Sequence, residues 1–221
     1  LCEQTSFFMN SIFLCITGGS GFIGTTAMQW ALDQSIKVTN FDIRPPKILG
    51  HQPYWKYVDI REKDQFTSAL EAFRPTHIWH LAAKTGMDIH DMSFFDANTI
   101  GVQNLLKATT ILPNLKRIQF TSSLLVCRNG HLPQTDTEYC PPNLYGESKV
   151  IGEKEFRKSK LSCDWVIVRP TSIWGPWFDH SYKKFFQVLD RGWYVQPGQQ
   201  PIVKPLSYVG NTVHMMQKLL L

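Results

Sequence analysis

The chain has 221 residues, enough to bury one sizeable core, or one domain and part of a second. Hydrophobic residues make up 43% and charged residues 19%, which excludes a disordered chain and a fibrous repeat. The net charge of +5 is modest. Its densest basic cluster, Lys154, Arg157, Lys158 and Lys160, lacks the interleaved aromatic residues that stack on bases, so it reads as the wet face of a helix, and no nucleic-acid partner is expected.

Cys2, Cys15, Cys127, Cys140 and Cys163 are odd in number and widely spaced, without a C-x-x-C pair; they read as reduced thiols in a cytoplasm, with no metal site. The apolar run at residues 12–16 is too short to span a bilayer and has no basic segment before it, so neither export nor a membrane partner is expected. Residues 1–8 read as an extension ahead of the fold. Residues 218–221 fall in the middle of an amphipathic helix with no cap after it.

In chain order, residues 12–17 form a short apolar run ended by glycines, which suits a strand buried on both faces. A helix is predicted over 22–34, a second strand over 37–41 ending on Asp42, and a break at Arg44-Pro45-Pro46. A third strand follows at 54–58, a helix at 63–73 and a fourth strand at 77–81. A helix at 93–110, a fifth strand at 117–120, a helix at 145–158 and a sixth strand at 164–168 continue the alternation. Such repeated strand-helix units predict an α/β fold with a doubly wound parallel sheet, since parallel neighbours need a crossover helix between them. Past Pro170 glycine, proline and tryptophan dominate, with one helix near 182–191. That change predicts a small, truncated lobe over 171–221 facing a substrate, after a Rossmann domain over 9–170, with residues 206–213 returning to the first domain.

Thr17-Gly18-Gly19-Ser20-Gly21-Phe22-Ile23-Gly24 sits between the first strand and the first helix, where a dinucleotide-binding turn belongs. Gly18 permits a tight turn, Gly21 lets the backbone approach a pyrophosphate, and Gly24 lets the helix pack closely. The amide groups opening that helix then face the phosphates, with the dipole favouring their charge. Asp42 is placed to accept from the adenosine ribose hydroxyls and to repel a 2′-phosphate, which favours NAD over NADP; Arg44 offsets that repulsion if it folds over the ribose. The alternative for Asp42 is a turn-initiating acid. Asp59 and Ile60 either touch the adenine edge or cap the next helix.

Tyr145 and Lys149 are four apart, on one face of a helix. A cation about 4 Å from a phenol in an effective dielectric of about 20 favours the phenolate by about 4 kcal/mol, or about three pH units. That predicts Tyr145 as a base near neutral pH. By itself the spacing also describes an exposed helix face.

With His80-Leu81-Ala82-Ala83, Asn98, Thr121-Ser122-Ser123, Tyr145-Gly146-Glu147-Ser148-Lys149 and Arg169-Pro170-Thr171-Ser172-Ile173-Trp174-Gly175-Pro176, the chain resembles the extended short-chain dehydrogenase/reductase superfamily. The branch is that of the NAD-dependent sugar-nucleotide epimerases and dehydratases, over residues 12–213. The resemblance implies an enzyme with NAD as cofactor, a nucleotide sugar as substrate and a homodimer through a helix bundle. It implies Tyr145 as acid/base, Lys149 on the nicotinamide ribose, and Ser123 completing the site ahead of Thr121 and Ser122. It implies cofactor contacts from Gly18, Gly21, Phe22, Ile23, Gly24, Asp42, Asp59, Ile60, Leu81, Ala82, Ala83, Asn98, Tyr145 and Lys149. Substrate contacts fall to Thr85, Ser123, Tyr145 and Ser172. Asn98 supports the lysine through backbone or water, or else caps a helix; His80 reads as a satisfied core histidine; Trp174 lies in a loop that borders the substrate nucleotide.

Departures bear on the reaction. Thr121-Ser122-Ser123-Leu124 lacks the acids of a 4,6-dehydratase, which favours an epimerase. Cys127-Arg128 replaces a usual Tyr-Gly, and Val209-Gly210-Asn211 replaces a Val-Asp-Asp segment. An NADP-type carbonyl reductase and a non-catalytic dinucleotide-binding scaffold stand as alternatives.

Overall fold

The computed structural model describes residues 11–178, 183–195, 198 and 205–220. The 1–8 extension, Cys2, Met9 at the start of the first predicted domain, Tyr182 at the start of the 182–191 helix, and Leu221 lie outside the described residues.

β1 (Phe13–Thr17) is buried on both faces. Alternate side chains point to opposite faces of a strand. Accordingly Leu14 and Ile16 enter one core cluster and Cys15 the other. β2 (Lys37–Asp42), β3 (Trp55–Tyr57), β4 (His77–His80), β5 (Arg117–Thr121) and β6 (Asp164–Val168) join it in one sheet of order β3-β2-β1-β4-β5-β6, with every pairing parallel. This is the doubly wound sheet expected from the sequence. Strand order reverses between β1 and β4, and ligands of such sheets bind beyond the carboxyl ends of the strands at that crevice.

Two layers of helices cover the sheet. α1 (Phe22–Asp33) supplies Ala27, Met28 and Ala31 to a cluster with Leu14, Ile16 and Trp79. α2 (Lys63–Phe73), α3 (Asp96–Ala108) and α4 (Leu144–Lys158) cover the other face through Phe66, Leu70, Val102, Leu105 and Phe156. Beyond β6 come β7 (Ser172–Trp174), α5 (Lys183–Asp190), β8 (Leu206–Tyr208) and α6 (Val209–Lys218), with β7 and β8 paired in parallel. α6 returns to the α1 layer: Val213 and Met216 join that cluster, and the buried Gln119 amide donates to the Met216 carbonyl at 2.8 Å.

Two predicted elements differ in detail. The helix expected over 93–110 begins as a 3-10 turn, Met92–Phe95, before α3. The cause is local: Asp91 accepts from the Ser93 amide at 2.9 Å and from its hydroxyl at 2.7 Å, and such side-chain bonds hold the chain out of α geometry. The strand expected over 54–58 shortens to β3 at the sheet edge because Leu49–Tyr54 forms a 3-10 helix containing Pro53.

Candidate functional site

The turn after β1 is shaped by backbone bonds. The Gly18 amide donates to the Phe41 carbonyl at 2.8 Å and the Gly21 amide to the Gly18 carbonyl at 3.0 Å. Gly18 has φ +76°, and a Cβ there would lie 2.6 Å from the Ala82 nitrogen. A Cβ on Gly24 would collide with the Gly18 oxygen, so α1 packs on the turn itself. At Gly21 the same test meets only the Gly18 oxygen at 3.1 Å and an Arg44 guanidinium nitrogen at 4.0 Å. α1 has no side-chain cap and no acid in its first turn. Uncapped amides, a bare backbone at Gly21 and a neighbouring guanidinium make a cradle suited to a pyrophosphate, and Phe22, Ile23 and Gly24 open that helix.

Asp42 ends β2 with one carboxylate oxygen accepting from the Ser20 amide at 3.0 Å and the other from the Arg44 amide at 2.9 Å. It therefore initiates the turn and also ties β2 to the glycine loop. Burial pushes its pKa up, against the pull of those bonds and of Arg44. Leu81, Ala82 and Ala83 run beside the same turn: the Leu81 amide donates to the Thr17 carbonyl at 3.0 Å and the Ala82 amide to the Thr17 hydroxyl at 3.3 Å. His80 is a core residue, bonded to the Thr17 hydroxyl at 2.9 Å and stacked on Phe120. Burial, with Lys149 nearby, holds it neutral, its pKa lowered to about 3.

Asp59 does not cap the next helix, whose N-cap is Glu62. It faces the Arg61 guanidinium at 2.6 Å, which holds its carboxyl below the usual range. The Ile60 side chain is committed to the core.

The second half of the site comes from β5 and α4. Asn143 caps α4 by accepting from the Gly146 amide at 2.9 Å, which sets Tyr145 and Lys149 inward; both are buried, so the exposed-face reading fails. Of the serine triplet, Ser123 is the member near enough to the Tyr145 phenol to pull its pKa down; its oxygen accepts from the Leu125 amide at 3.1 Å. Thr121 Oγ1 and Ser122 Oγ are buried with no partner among the described residues. Asn98 is buried within α3 and does not cap a helix: it pairs with the Lys84 backbone at 2.8 and 2.9 Å and donates at 2.8 Å to Oγ of Ser148, the residue before Lys149. Thr85 is exposed in the loop after β4, Ser172 opens β7 half-buried, and Trp174 packs on Tyr208 with ring centroids 5.2 Å apart.

One expectation is overturned. The helical spacing predicts that Lys149 lowers the Tyr145 phenol, but the lysine Nζ is held by the Thr121 carbonyl at 2.9 Å, above the Phe120 ring. Burial raises the phenol, and only the neighbouring Ser123 works against that. Burial also lowers Lys149 to about 8, opposed by Glu153. The protein by itself therefore keeps Tyr145 neutral.

The basic residues of α4 did not reveal one feature. Glu153, one turn beyond Lys149, is fully buried and bound by Arg169 at 2.6 and 2.8 Å, with the Tyr139 hydroxyl donating at 3.0 Å. Arg157 leaves the wet face to pair with Asp136 at 2.9 Å. The Glu153-x-x-x-Arg157 spacing was the available signal.

A family model described as the NAD dependent epimerase/dehydratase family matches residues 14–192. The chain belongs to this family. The resemblance read from the motifs is thereby borne out, and NAD is the cofactor for which the family is described. Over 215 residues the chain is 29% identical to N-acetyl-alpha-D-glucosaminyl-diphospho-ditrans,octacis-undecaprenol 4-epimerase of Escherichia coli O157:H7, covering 95% of this chain and 63% of that protein. It is also 29% identical, over 220 residues, to 3 beta-hydroxysteroid dehydrogenase/Delta 5→4-isomerase of Mycobacterium tuberculosis, covering 90% and 57%. The fold is shared with the UDP-glucose 4-epimerase of Thermus thermophilus complexed with NAD, at TM-score 0.78 and 24% identity over 94% of this chain and 74% of that one. The chain thus spans roughly six-tenths of the length of these two curated relatives. Among the described residues no helix is long and apolar enough to cross a membrane, and no group of three or more His, Cys, Asp or Glu residues is placed to hold a metal.

Proposed function

We propose that this chain is the cofactor-binding part of an NAD-dependent epimerase acting on a nucleotide sugar, with Ser123, Tyr145 and Lys149 as its reacting set. The observation that carries this reading is the buried pair of Tyr145 and Lys149 one turn apart on α4, with the lysine Nζ held at 2.9 Å by the Thr121 carbonyl, two residues before Ser123. The epimerases among the relatives support it.

Gly18, Gly21 and the first turn of α1 would hold the pyrophosphate and Asp42 the adenosine ribose, with Leu81, Ala82 and Ala83 beneath the dinucleotide. Lys149, Asn98 through Ser148, and the backbone near Asp59 and Ile60 would complete its contacts. NAD, when bound, supplies the hydride acceptor and donor. Tyr145 Oη takes the proton of the sugar hydroxyl that is oxidised and returns it later; Ser123 Oγ donates to the same oxygen as it becomes a carbonyl. Thr85 and Ser172 would meet the rest of the substrate. Nothing resembling the acids of a 4,6-dehydratase follows Thr121, which supports epimerisation over dehydration. A positive charge brought beside Tyr145 by the bound cofactor would restore acidity that burial removes from the phenol.

Tyr145→Phe is the direct test. General acid/base groups contribute about 10²–10⁴-fold, so turnover of a panel of nucleotide hexoses should fall by about that factor while NAD affinity holds. Undiminished turnover would remove the basis of the reading. A second reading is a net dehydrogenase or reductase of a non-sugar alcohol, favoured by equal identity to the mycobacterial steroid enzyme. Stoichiometric change of added cofactor would mark it, since an epimerase recycles what it holds.

A further inference from the structure

We propose that Cys127 and Cys140 form a reversible intramolecular disulfide that fastens the 127–140 loop beside the Ser123–Tyr145 pair. The inference goes beyond the proposed function, because it concerns groups that the reaction does not use.

Thirteen positions apart in sequence, the two cysteines meet across an isolated parallel bridge. The Cys140 amide donates to the Val126 carbonyl at 3.0 Å, and the Arg128 amide to the Cys140 carbonyl at 2.7 Å. Paired residues in a parallel bridge carry their side chains on one face of strands about 4.8 Å apart. A disulfide accepts Cα atoms about 4.4–6.8 Å apart, so the backbone already has a permitted separation. Both residues are free thiols and half-buried, hence within reach of a small reagent. The Cys127 thiol donates to the Glu138 carbonyl at 3.3 Å, a weak bond that a rotation about χ1 breaks.

The chemistry needs a small-molecule disulfide as oxidant. The Cys127 thiolate attacks one of its sulfurs, forming a mixed disulfide and releasing one thiolate. Cys140, once deprotonated, attacks the Cys127 sulfur and releases the second. The two protein thiols are oxidised by two electrons, the reagent is reduced to two thiols, and excess dithiol reverses the sequence.

The bridge joins the two segments that carry the site. Cys127 ends the 3-10 turn Leu124–Val126, which Ser123 caps. Cys140 lies three residues before Asn143, the cap of the helix that bears Tyr145. The two segments also touch directly, since a Cβ on Gly146 would collide with the Leu125 oxygen. A covalent tie here restrains the separation of Ser123 and Tyr145. Cys15 and Cys163 serve as internal controls, because burial raises both thiols.

The test treats the folded chain with oxidised glutathione, blocks remaining thiols with iodoacetamide after denaturation, and maps tryptic peptides by mass. Residues 118–128 carry Cys127 and residues 129–149 carry Cys140, so the product is one linked pair, two hydrogens lighter than its parts, which dithiothreitol separates. Cys140→Ser should convert it into a lasting glutathione adduct on Cys127. Separate adducts on both cysteines of the unmutated chain, or two fully alkylated thiols, would overturn the proposal. No substrate or NAD enters the assay, so its outcome is independent of the enzymatic reading.

Discussion

Replacing Lys149 with methionine tests the electrostatics on which the site depends. The methionine keeps most of the buried length and removes the charge. Burial lowers the folded pKa to about 8 from 10.5, so the unfolded chain binds more protons between those values, and stability climbs with pH through that window. Below it the penalty is at full size, about 3 kcal/mol at pH 7; at about pH 9.5 roughly 1.5 kcal/mol is left. Wild type should therefore gain about 2 kcal/mol on Lys149→Met between those two pH values, or about 1 M in the difference of urea midpoints. At pH 7 the variant also leaves the Thr121 carbonyl without its 2.9 Å partner, a loss of about 1–3 kcal/mol. The two proteins should consequently be close in stability there, whereas the proposed reaction requires that turnover in the variant fall sharply. Urea unfolding of the NAD-free proteins at the two pH values measures the difference, in which other titrating groups cancel. Parallel pH profiles would show that Lys149 carries no buried charge, and the account of Tyr145 built beside it would fall.

Other perturbations reach other parts of the site. Arg169→Met leaves the fully buried Glu153 with Tyr139 at 3.0 Å and Arg157 at 4.0 Å. It should cost about 3 kcal/mol, the low end for breaking a buried pair, and a further Glu153→Leu should restore much of the loss; urea midpoints decide, and an unaffected single variant would refute the network. Gly24→Ala drives a Cβ into the Gly18 oxygen and to 2.6 Å from the Gly19 Cα. Such overpacking should cost about 2–3 kcal/mol and weaken NAD binding by calorimetry, and an unchanged melting temperature would contradict the close packing. Asp42→Ala removes the ribose acceptor proposed above and the Ser20 tether. NAD affinity should fall about 10–100-fold, the worth of a hydrogen bond to a charged group, with NADP less affected; equal losses for both cofactors would place Asp42 in the turn alone.

Much of this protein was written locally. The alternation of apolar runs determined a parallel sheet because each strand buried on both faces needs a helix to reach its neighbour, and the glycines after β1 fixed where a dinucleotide turn could form. The identity of the family followed from motifs that sit at the carboxyl ends of β1, β4 and β5. Side-chain partnership was another matter, since it depends on which atoms meet across elements far apart in sequence. Spacing put Tyr145 and Lys149 on one helix face, yet the Thr121 carbonyl on β5 took the ammonium, and burial moved the phenol in the direction opposite to expectation. Arg157 read as part of a wet helix face, yet it pairs with Asp136, and Glu153 one turn before it is buried under Arg169 and Tyr139. Cys127 and Cys140 looked unrelated until the chain folded back between them. The sheet, the turn and the family were legible in the chain's order, because each rests on local periodicity and short motifs. Which charges are buried, and what meets them, emerged with folding, because desolvation and pairing are properties of packed neighbours.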